Sequence, residues 1–200
     1  MLRARQVMPN LTIIIASTRP GRSGLPIATW FAERARAHSL LDVDVIDLAA
    51  LDLPLLDEPD LPRLRRYRHR HTKNWSATVD AADAFVFVTP EYNHGYPAAL
   101  KNAIDYLYEE WNGKPVGFVS YGGVSAGTRA VEQLKQVAGA VRMLPVQAAV
   151  HIPFHTQLFD DDGRLHANDL MERAAVAMLD EFARTRTVAW PPDRALPRPA

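Results

Sequence analysis

The segment from Ala84 to Leu107 constrains the fold of this chain more than any other, because an apolar strand there runs through a polar turn into a helix. Ala84 to Val88 are all apolar and mostly β-branched or aromatic, which is typical of a strand covered on both faces. Pro90 lacks the N–H that would continue a strand ladder, and Pro97 suits the first turn of a helix. The pattern predicts a strand–turn–helix unit of an α/β sheet.

The turn between those prolines carries more ligand-binding groups than a simple connection needs. It offers two aromatic rings, several hydrogen-bonding side chains and a glycine that allows close backbone approach, in the order Glu91, Tyr92, Asn93, His94, Gly95 and Tyr96. Ligands of open α/β sheets bind outside the carboxyl ends of the strands. We therefore expect this turn, loop 2 (residues 90–97), to border a binding site.

The same alternation of apolar runs and helical patterns extends along the chain. Strands are predicted at residues 11–16, 43–48, 84–88, 114–120 and 142–150, the last interrupted by Pro145, and helices at 25–37, 73–82, 98–107, 126–138 and 168–184. The stretch at 51–70, with its prolines, is predicted to be irregular. Repeated βα units predict a parallel, doubly wound α/β sandwich of three layers in one domain, residues 10–187, with an N-terminal extension at 1–9 and a proline-rich tail at 188–200.

Composition narrows the partners of this domain. The 200 residues contain 23 basic and 23 acidic side chains, and this balance argues against a nucleic acid or an anionic membrane as the main partner. The chain has no cysteine, which excludes disulfides, thiolate catalysis and Cys-ligated metal clusters. It has neither a long apolar segment nor a secretory leader, so we expect a cytoplasmic protein with a small-molecule partner.

The loop after the first predicted strand, loop 1 (residues 16–24), has the composition of a phosphate site. Hydroxyls and two arginines stand just before the predicted helix, at Ser17, Thr18, Arg19, Arg22 and Ser23. Free amides at a helix N-terminus, together with arginine, favour a phosphate monoester. The Gly-x-Gly-x-x-Gly fingerprint of dinucleotide sites and the Gly-Lys-Ser of a Walker-type loop are both missing.

The loop after the fourth predicted strand, loop 3 (residues 120–127), is rich in glycine and serine. Its first residues, Ser120, Tyr121, Gly122 and Gly123, let the backbone approach a flat ring with an aromatic side chain beside it. Together the loops predict a phosphate held at loop 1 and a planar heterocycle held between loops 2 and 3. Flavin mononucleotide (FMN) has this shape.

Three motifs at these loops resemble the NADPH-dependent FMN reductase family, which includes quinone, azo and chromate reductases. They are Ser-Thr-Arg-x-x-Arg at 17–22, Pro-Glu-Tyr-Asn-x-x-x-Pro-Ala-Ala-Leu-Lys-Asn-Ala-Ile-Asp at 90–105, and Gly-Gly-x-x-x-Gly-x-Arg-Ala-x-x-Gln-Leu at 122–134. The resemblance covers about the first 150 residues, in the right order. It departs at residues 22–24, where many relatives have a serine-rich loop ending in asparagine, and at residues 94–95, so the individual phosphate ligands and the acceptor stay open.

The resemblance implies a flavodoxin-like fold with a five-stranded parallel sheet in the order 2-1-3-4-5, bound FMN, and a homodimer or dimer of dimers. It implies two-electron transfer from NADPH or NADH through FMN to a quinone-like, flavin or other acceptor, with ping-pong kinetics. Because hydride chemistry takes place at the flavin N5, no side chain is expected to be catalytic. The expected cofactor-binding residues are Ser17, Thr18, Arg19, Arg22, Ser23, Pro90, Glu91, Tyr92, Asn93, Ser120, Tyr121, Gly122 and Gly123, with backbone donors around residues 91–93 on the polar edge of the ring.

Two other functions fit parts of the sequence. One is a non-enzymatic FMN-binding electron carrier or redox-responsive binding protein, although carriers of the flavodoxin kind are usually strongly acidic and this chain is neutral. The other is a receiver domain of the same topology, which needs clustered aspartates at strand ends, and loop 1 has none.

Several charged residues outside the loops have open roles. His69, His71, His151 and His155 lack metal-ligand spacing and are expected to be solvated or packed. The basic run at 63–71 has two possible roles. It is either a solvated segment near the site or an interface, or a binding segment that attracts the extra phosphate of NADPH. Arg129 and Lys101 are expected in structural ion pairs or at an interface.

Overall fold

The structure, a computed structural model, describes residues 9–38 and 41–189. Six strands and six helices lie along them, mostly in alternation. The strands are β1 (Asn10–Ile15), β2 (Asp42–Asp47), β3 (Ala84–Pro90), β4 (Pro115–Tyr121), β5 (Leu144–Pro145) and β6 (Val150–Ile152). The helices are α1 (Gly24–Ala37), α2 (Leu48–Leu51), α3 (Arg70–Ala81), α4 (Ala98–Asp105), α5 (Thr128–Ala140) and α6 (Asp169–Ala189), with 3-10 turns at Pro62–Leu64 and His155–Leu158.

The predicted strands and helices are confirmed within a few residues, with informative exceptions. The single turn of α2 is too short to show a helical pattern; Asp47 caps it by accepting a hydrogen bond from the Ala49 N–H at 3.0 Å. Helix α6 runs to Ala189, past the predicted start of the proline-rich tail. The rest of that tail, and the N-terminal extension up to residue 8, lie outside the described residues.

The sheet is parallel throughout and runs in the order β2-β1-β3-β4-β5, with β6 also paired to β4. This confirms the flavodoxin-like order. The predicted fifth strand is split, since β5 pairs with the start of β4 and β6 with its end. The N–H groups of Leu144 and Val146, on either side of Pro145, both donate to the β4 side, and the chain then leaves the sheet before returning at Val150.

Apolar side chains cover both faces of the central strands. Alternate residues of β3 point to opposite faces, so Val86 packs with α1 and α6 while Phe87 packs with the helices on the other face. Trp111 is fully buried in this second cluster and donates from Nε1 to the Ile104 carbonyl at 3.1 Å. The two covered faces confirm the three-layer sandwich. No helix within the described residues is long and apolar enough to cross a membrane.

The irregular stretch before α3 is held by side chains rather than by a ladder. Asn102 in α4 donates to the Pro54 carbonyl at 2.7 Å. Glu110 is fully buried and accepts a hydrogen bond from the Tyr67 hydroxyl at 2.9 Å. These hydrogen bonds keep the stretch beside α4, a placement that the sequence analysis did not predict.

Adjacency in the sheet places the three loops together. Strands β1, β3 and β4 are neighbours and parallel, so loops 1, 2 and 3 leave the same edge side by side. A ligand at this edge can therefore contact all three loops.

Candidate functional site

Loop 1 brings two arginines to the start of α1, in different surroundings. Arg22 is ion-paired with Asp47 at the end of β2, and its Nε is buried without a hydrogen-bond partner among the described residues. Arg19 is exposed and makes no ion pair with any described residue. Ser23, the N-cap residue of α1, makes no side-chain capping bond. Loop 1 therefore presents an unpaired cation, a hydroxyl and helix N-terminal amides to an anion.

Loop 2 forms a tight turn that touches loop 1. Tyr92 and Gly95 exchange backbone hydrogen bonds of 2.8 and 2.9 Å, while Asn93 and His94 adopt positive φ angles of 50° and 71°. The Tyr92 N–H is thus committed to the Gly95 carbonyl, so it is not the free ring donor that the sequence predicted. The Tyr92 hydroxyl lies 2.6 Å from Ser17 Oγ and joins the two loops.

The carboxylate of Glu91 ties loop 2 to the start of α5. It is only 6% exposed, is ion-paired with Arg129, and accepts hydrogen bonds from the Arg129 N–H at 3.2 Å and the Ser125 hydroxyl at 3.1 Å. Burial acts to raise the pKa of Glu91, but the bonds from Arg129 and Ser125 outweigh it and hold that pKa below its usual value. Glu91 is therefore an anion engaged by the protein, and Arg129 is confirmed in a structural ion pair.

Loop 3 is supported from beneath by Ser120. This residue is fully buried, donates from its hydroxyl to the Ala126 carbonyl at 2.8 Å, and lies 2.7 Å from His151 Nδ1. Gly127 adopts a φ of 80°, and a Cβ there would lie 2.9 Å from the Ser120 Cβ. The third glycine of loop 3 is therefore required by close packing.

Tyr121 spans the distance from loop 3 to the start of α1. Its side chain is 3% exposed, and its hydroxyl has no hydrogen-bond partner among the described residues. A Cβ at Gly24 would lie 2.8 Å from that hydroxyl, so a side chain at the first residue of α1 would have to displace the Tyr121 side chain. Burial raises the pKa of the Tyr121 phenol and Tyr92 acts in the same direction, and together they outweigh the Ser17 hydroxyl and the loop 1 arginines, which act to lower it, so the hydroxyl stays protonated.

These groups line one cavity of about 280 Å³ at the sheet edge. Its walls are Ser17, Arg19, Arg22, Ser23, Pro90, Glu91, Tyr92, Tyr121, Gly122, Gly123 and His155. Among the described residues four buried side-chain atoms have no hydrogen-bond partner, and two of them, Arg22 Nε and the Tyr121 hydroxyl, belong to these walls. Burying a donor without an acceptor costs about 1–3 kcal/mol. The cavity therefore suits a ligand rich in acceptor oxygens, such as a phosphate.

Three of the predicted site residues lie outside this cavity. Thr18 lines a separate cavity of about 390 Å³ bordered by α2 and α4. Asn93 is exposed at the tip of the loop 2 turn. Ser120 lies beneath loop 3, where its hydroxyl is used by the protein itself. The remaining predicted residues are brought together in one place.

His155 is a site residue that the sequence interpretation treated as merely solvated or packed. It follows β6 and lines the same cavity as the loops. Its Nδ1 lies 3.0 Å from the Gly122 carbonyl, and its ring stands 5.0 Å from the ring of Tyr121. Its place in the sequence could have indicated this, because a residue that follows the fifth strand of the sheet lies at the same edge as the three loops.

The remaining charged residues singled out in the sequence are mostly engaged away from the cavity. Lys101 is confirmed in an ion pair with Asp105, at 2.6 Å. Within the basic run, Arg65 pairs with Asp80 and His71 lies 2.9 Å from Asp57. Within the described residues, no group of three or more histidines and carboxylates is arranged to hold a metal ion.

Comparison with known proteins assigns this architecture to a family. The model of the family described as "NADPH-dependent FMN reductase" matches residues 9–157, which include all three loops and His155. The chain belongs to the NADPH-dependent FMN reductase family. A protein of Schizosaccharomyces pombe named NAD(P)H-dependent FMN reductase is 45% identical over 152 residues, covering 74% of this chain and 76% of its own. A quinone reductase of Pseudomonas putida is 30% identical over 184 residues, covering 87% and 92%.

Solved structures support the fold of this family member. The flavoenzyme NAD(P)H:(acceptor) oxidoreductase FerB from Paracoccus denitrificans superposes with a TM-score of 0.70 at 21% identity, covering 88% of this chain and 98% of FerB. At that identity the likeness concerns the fold alone.

Proposed function

We propose that this protein is an FMN-dependent oxidoreductase that passes two electrons from NADPH or NADH to a small-molecule acceptor. The observation that carries the proposal is the cavity at loops 1 to 3, where buried donors without partners face the start of α1 in a member of this family. Their chemistry fits a phosphate monoester at one end of a ligand.

Loop 1 is proposed to hold the phosphate. Arg19 supplies an unpaired positive charge, and Ser23 leaves its hydroxyl free of helix capping. Arg22 contributes through Nε, because its terminal nitrogen is engaged with Asp47. The helix N-terminus adds its partial positive charge.

Loops 2 and 3 are proposed to hold the flat ring. Tyr92 is 39% exposed and offers an aromatic surface, while Gly123 has open space where a side chain would be. Loop 2 is fixed to α5 by Glu91 and Arg129, so the backbone groups near the ring are positioned before it binds. Hydrogen-bond donors that are already in position need little reorganisation when negative charge develops on a ligand.

Bound FMN would supply the chemistry by accepting a hydride at N5 and passing two electrons on. The role of the protein is to bind the ring, orient it and shield it from water. We further propose that the nicotinamide and the acceptor use the same open side of the site in turn, which gives parallel lines in initial-rate plots. A homodimer is also part of this proposal, and its test is the mass of the purified protein in solution.

The test begins with the absorption spectrum of the purified protein, with FMN added where needed. We expect a bound flavin band that bleaches when NADPH or NADH is mixed in without oxygen and returns when a quinone is added. A protein that takes up no FMN contradicts the proposal. Bound FMN that neither nicotinamide bleaches would instead favour a non-enzymatic electron carrier.

A further inference from the structure

The corner after β6 holds His155 against loop 3 with three hydrogen bonds. The Phe154 N–H donates to the Gly123 carbonyl at 3.1 Å, and the His155 N–H donates to the Gly122 carbonyl at 3.3 Å. The His155 ring adds its own contact, Nδ1 to the same Gly122 carbonyl at 3.0 Å. Phe154 adopts a φ of 46°, a strained left-handed conformation for an aromatic residue. The strained Phe154 backbone is therefore part of the turn that positions the His155 ring.

One nitrogen of the His155 ring is committed and the other is available. A carbonyl oxygen only accepts hydrogen bonds, so Nδ1 must carry the hydrogen that faces Gly122. Nε2 has no hydrogen-bond partner within residues 9–38 and 41–189. Since the ring lines the 280 Å³ cavity, Nε2 is free to meet a ligand there.

The ring faces the same small cavity as the arginines of loop 1. His155 packs 5.0 Å from the ring of Tyr121, and both side chains line the cavity together with Arg19 and Arg22. His155 therefore shares its cavity with two positively charged side chains.

The charges around His155 favour an anion. Loop 1 contributes Arg19 and Arg22, and the phenol of Tyr121, whose pKa is raised mainly by burial, stays protonated. The carboxylate of Glu91 is engaged by Arg129, and Asp47, behind Arg22, is engaged by Arg22. No unpaired carboxylate among the cavity walls competes for the ring.

We propose that His155 is a fourth binding element of the site, whose protonated imidazole donates from Nε2 to the phosphate of a flavin mononucleotide. The inference rests on the proposed function and adds a residue outside the three loops. Because the Nδ1 hydrogen is used by the Gly122 carbonyl, Nε2 donates from the protonated ring, and the phosphate oxygens supply the acceptor. His155 would thus help the site select a phosphorylated flavin over riboflavin.

The test compares FMN with riboflavin, which lacks the phosphate, on flavin-stripped wild type and His155→Asn. The asparagine amide can keep a bond to the Gly122 carbonyl but cannot replace Nε2. By fluorescence titration at pH 7, we expect the Kd for FMN to rise about 10-fold or more, the loss of one hydrogen bond to a charged group. The Kd for riboflavin should be unchanged, which also shows that the variant is folded.

A histidine outside the cavity controls for the substitution itself. His166→Asn is the matched control, because His166 pairs with Asp160 outside the cavity walls.

The outcomes separate this inference from the proposed function. A wild-type protein that binds no FMN ends the proposed function. If wild type binds FMN but His155→Asn weakens FMN and riboflavin equally, His155 only supports loop 3 and the inference is overturned. Unchanged affinity of the variant for FMN overturns it as well.

Discussion

The two arginines of loop 1 differ in what they can offer a ligand. Only part of the Arg22 guanidinium is used by the protein: a terminal nitrogen binds Asp47, while Nε has no partner among the described residues. Arg19 has no ion pair among the described residues and is exposed. The proposed phosphate end of the site therefore depends mainly on Arg19 for a positive charge that no described carboxylate balances.

Replacement of Arg19 by alanine should weaken FMN binding without disturbing the fold. Loss of one charge-assisted contact of about 1.5–3 kcal/mol corresponds to a roughly 10- to 150-fold higher Kd. The measurement is equilibrium titration of flavin-stripped protein. Arg173→Ala, an exposed arginine on α6, is the control and should bind FMN normally. An Arg19→Ala variant with wild-type affinity would place the phosphate elsewhere.

His151 makes the stability of the protein depend on pH. Burial lowers the pKa of His151, and the nearby positive charge of Lys135 lowers it further. A histidine with a depressed pKa in the folded state stabilises the fold above its unfolded pKa, near 6.5, and that contribution is lost as the pH falls through the folded pKa.

We therefore expect the free energy of unfolding to fall as the pH is lowered from 7.5 to 5.5. In His151→Asn, the loss over the same interval should be smaller, because the titrating group is gone. Urea unfolding at both pH values measures it. Equal losses in the two proteins would mean that other groups cause the pH dependence.

At the scale of elements, a single ion pair connects the turn after β3 with the start of α5. Glu91 is nearly buried, whereas the side chain of Arg129 is 48% exposed. The carboxylate stabilises this junction above its usual pKa of about 4.5, and protonation removes that contribution as the pH falls through its lowered pKa. Loops 2 and 3 are thus held together at neutral pH.

Arg129→Ala should destabilise the protein and loosen the flavin site together. The nearly buried Glu91 carboxylate loses its paired cation, although it keeps hydrogen bonds from the Arg129 backbone N–H and the Ser125 hydroxyl, and we expect a cost of about 1–3 kcal/mol of unfolding free energy. Because the connection between loop 2 and the start of α5 is weakened, the Kd values for FMN and riboflavin should rise in parallel. Chemical denaturation and flavin titration test both effects.

Lys135→Ala is the matched control on the same helix. Lys135 pairs with Glu132 three residues away, and the Glu132 side chain is 68% exposed. Exposed pairs of this kind contribute about 0–1 kcal/mol. A loss of stability in Lys135→Ala as large as that in Arg129→Ala would show that the Glu91 connection has no special role.

For the whole molecule, the site and the fold are coupled through ligand binding. A ligand that binds only the folded state at 100 times its Kd adds about 2.7 kcal/mol to the free energy of unfolding. For a domain of this size, each kcal/mol raises Tm by about 2–4 °C.

Saturating FMN should accordingly raise the Tm by roughly 5–11 °C. Riboflavin at the same concentration should raise it less, because it leaves the donors of the phosphate end unpaired. Thermal unfolding followed by circular dichroism measures both shifts. Equal shifts with the two flavins would argue against a phosphate site in loop 1.

The sequence by itself determined the order of strands and helices and the three loops at the sheet edge. Those signals are local: covered apolar runs such as that of β3, helical periodicity, and prolines such as Pro90 and Pro97 that act on their own backbone. The motif resemblance added the strand order, and the structure confirmed it.

The tertiary structure alone decided how the polar groups of the site are used. It paired Arg22 with Asp47 and Glu91 with Arg129, turned the Ser120 hydroxyl inward, and brought His155 to loop 3. The partners in the two ion pairs and in the His155 contact are separated by 25 residues or more along the chain, as Arg22 and Asp47 are. Such contacts form only when the sheet brings distant strand ends together, so no local pattern in the sequence encodes them.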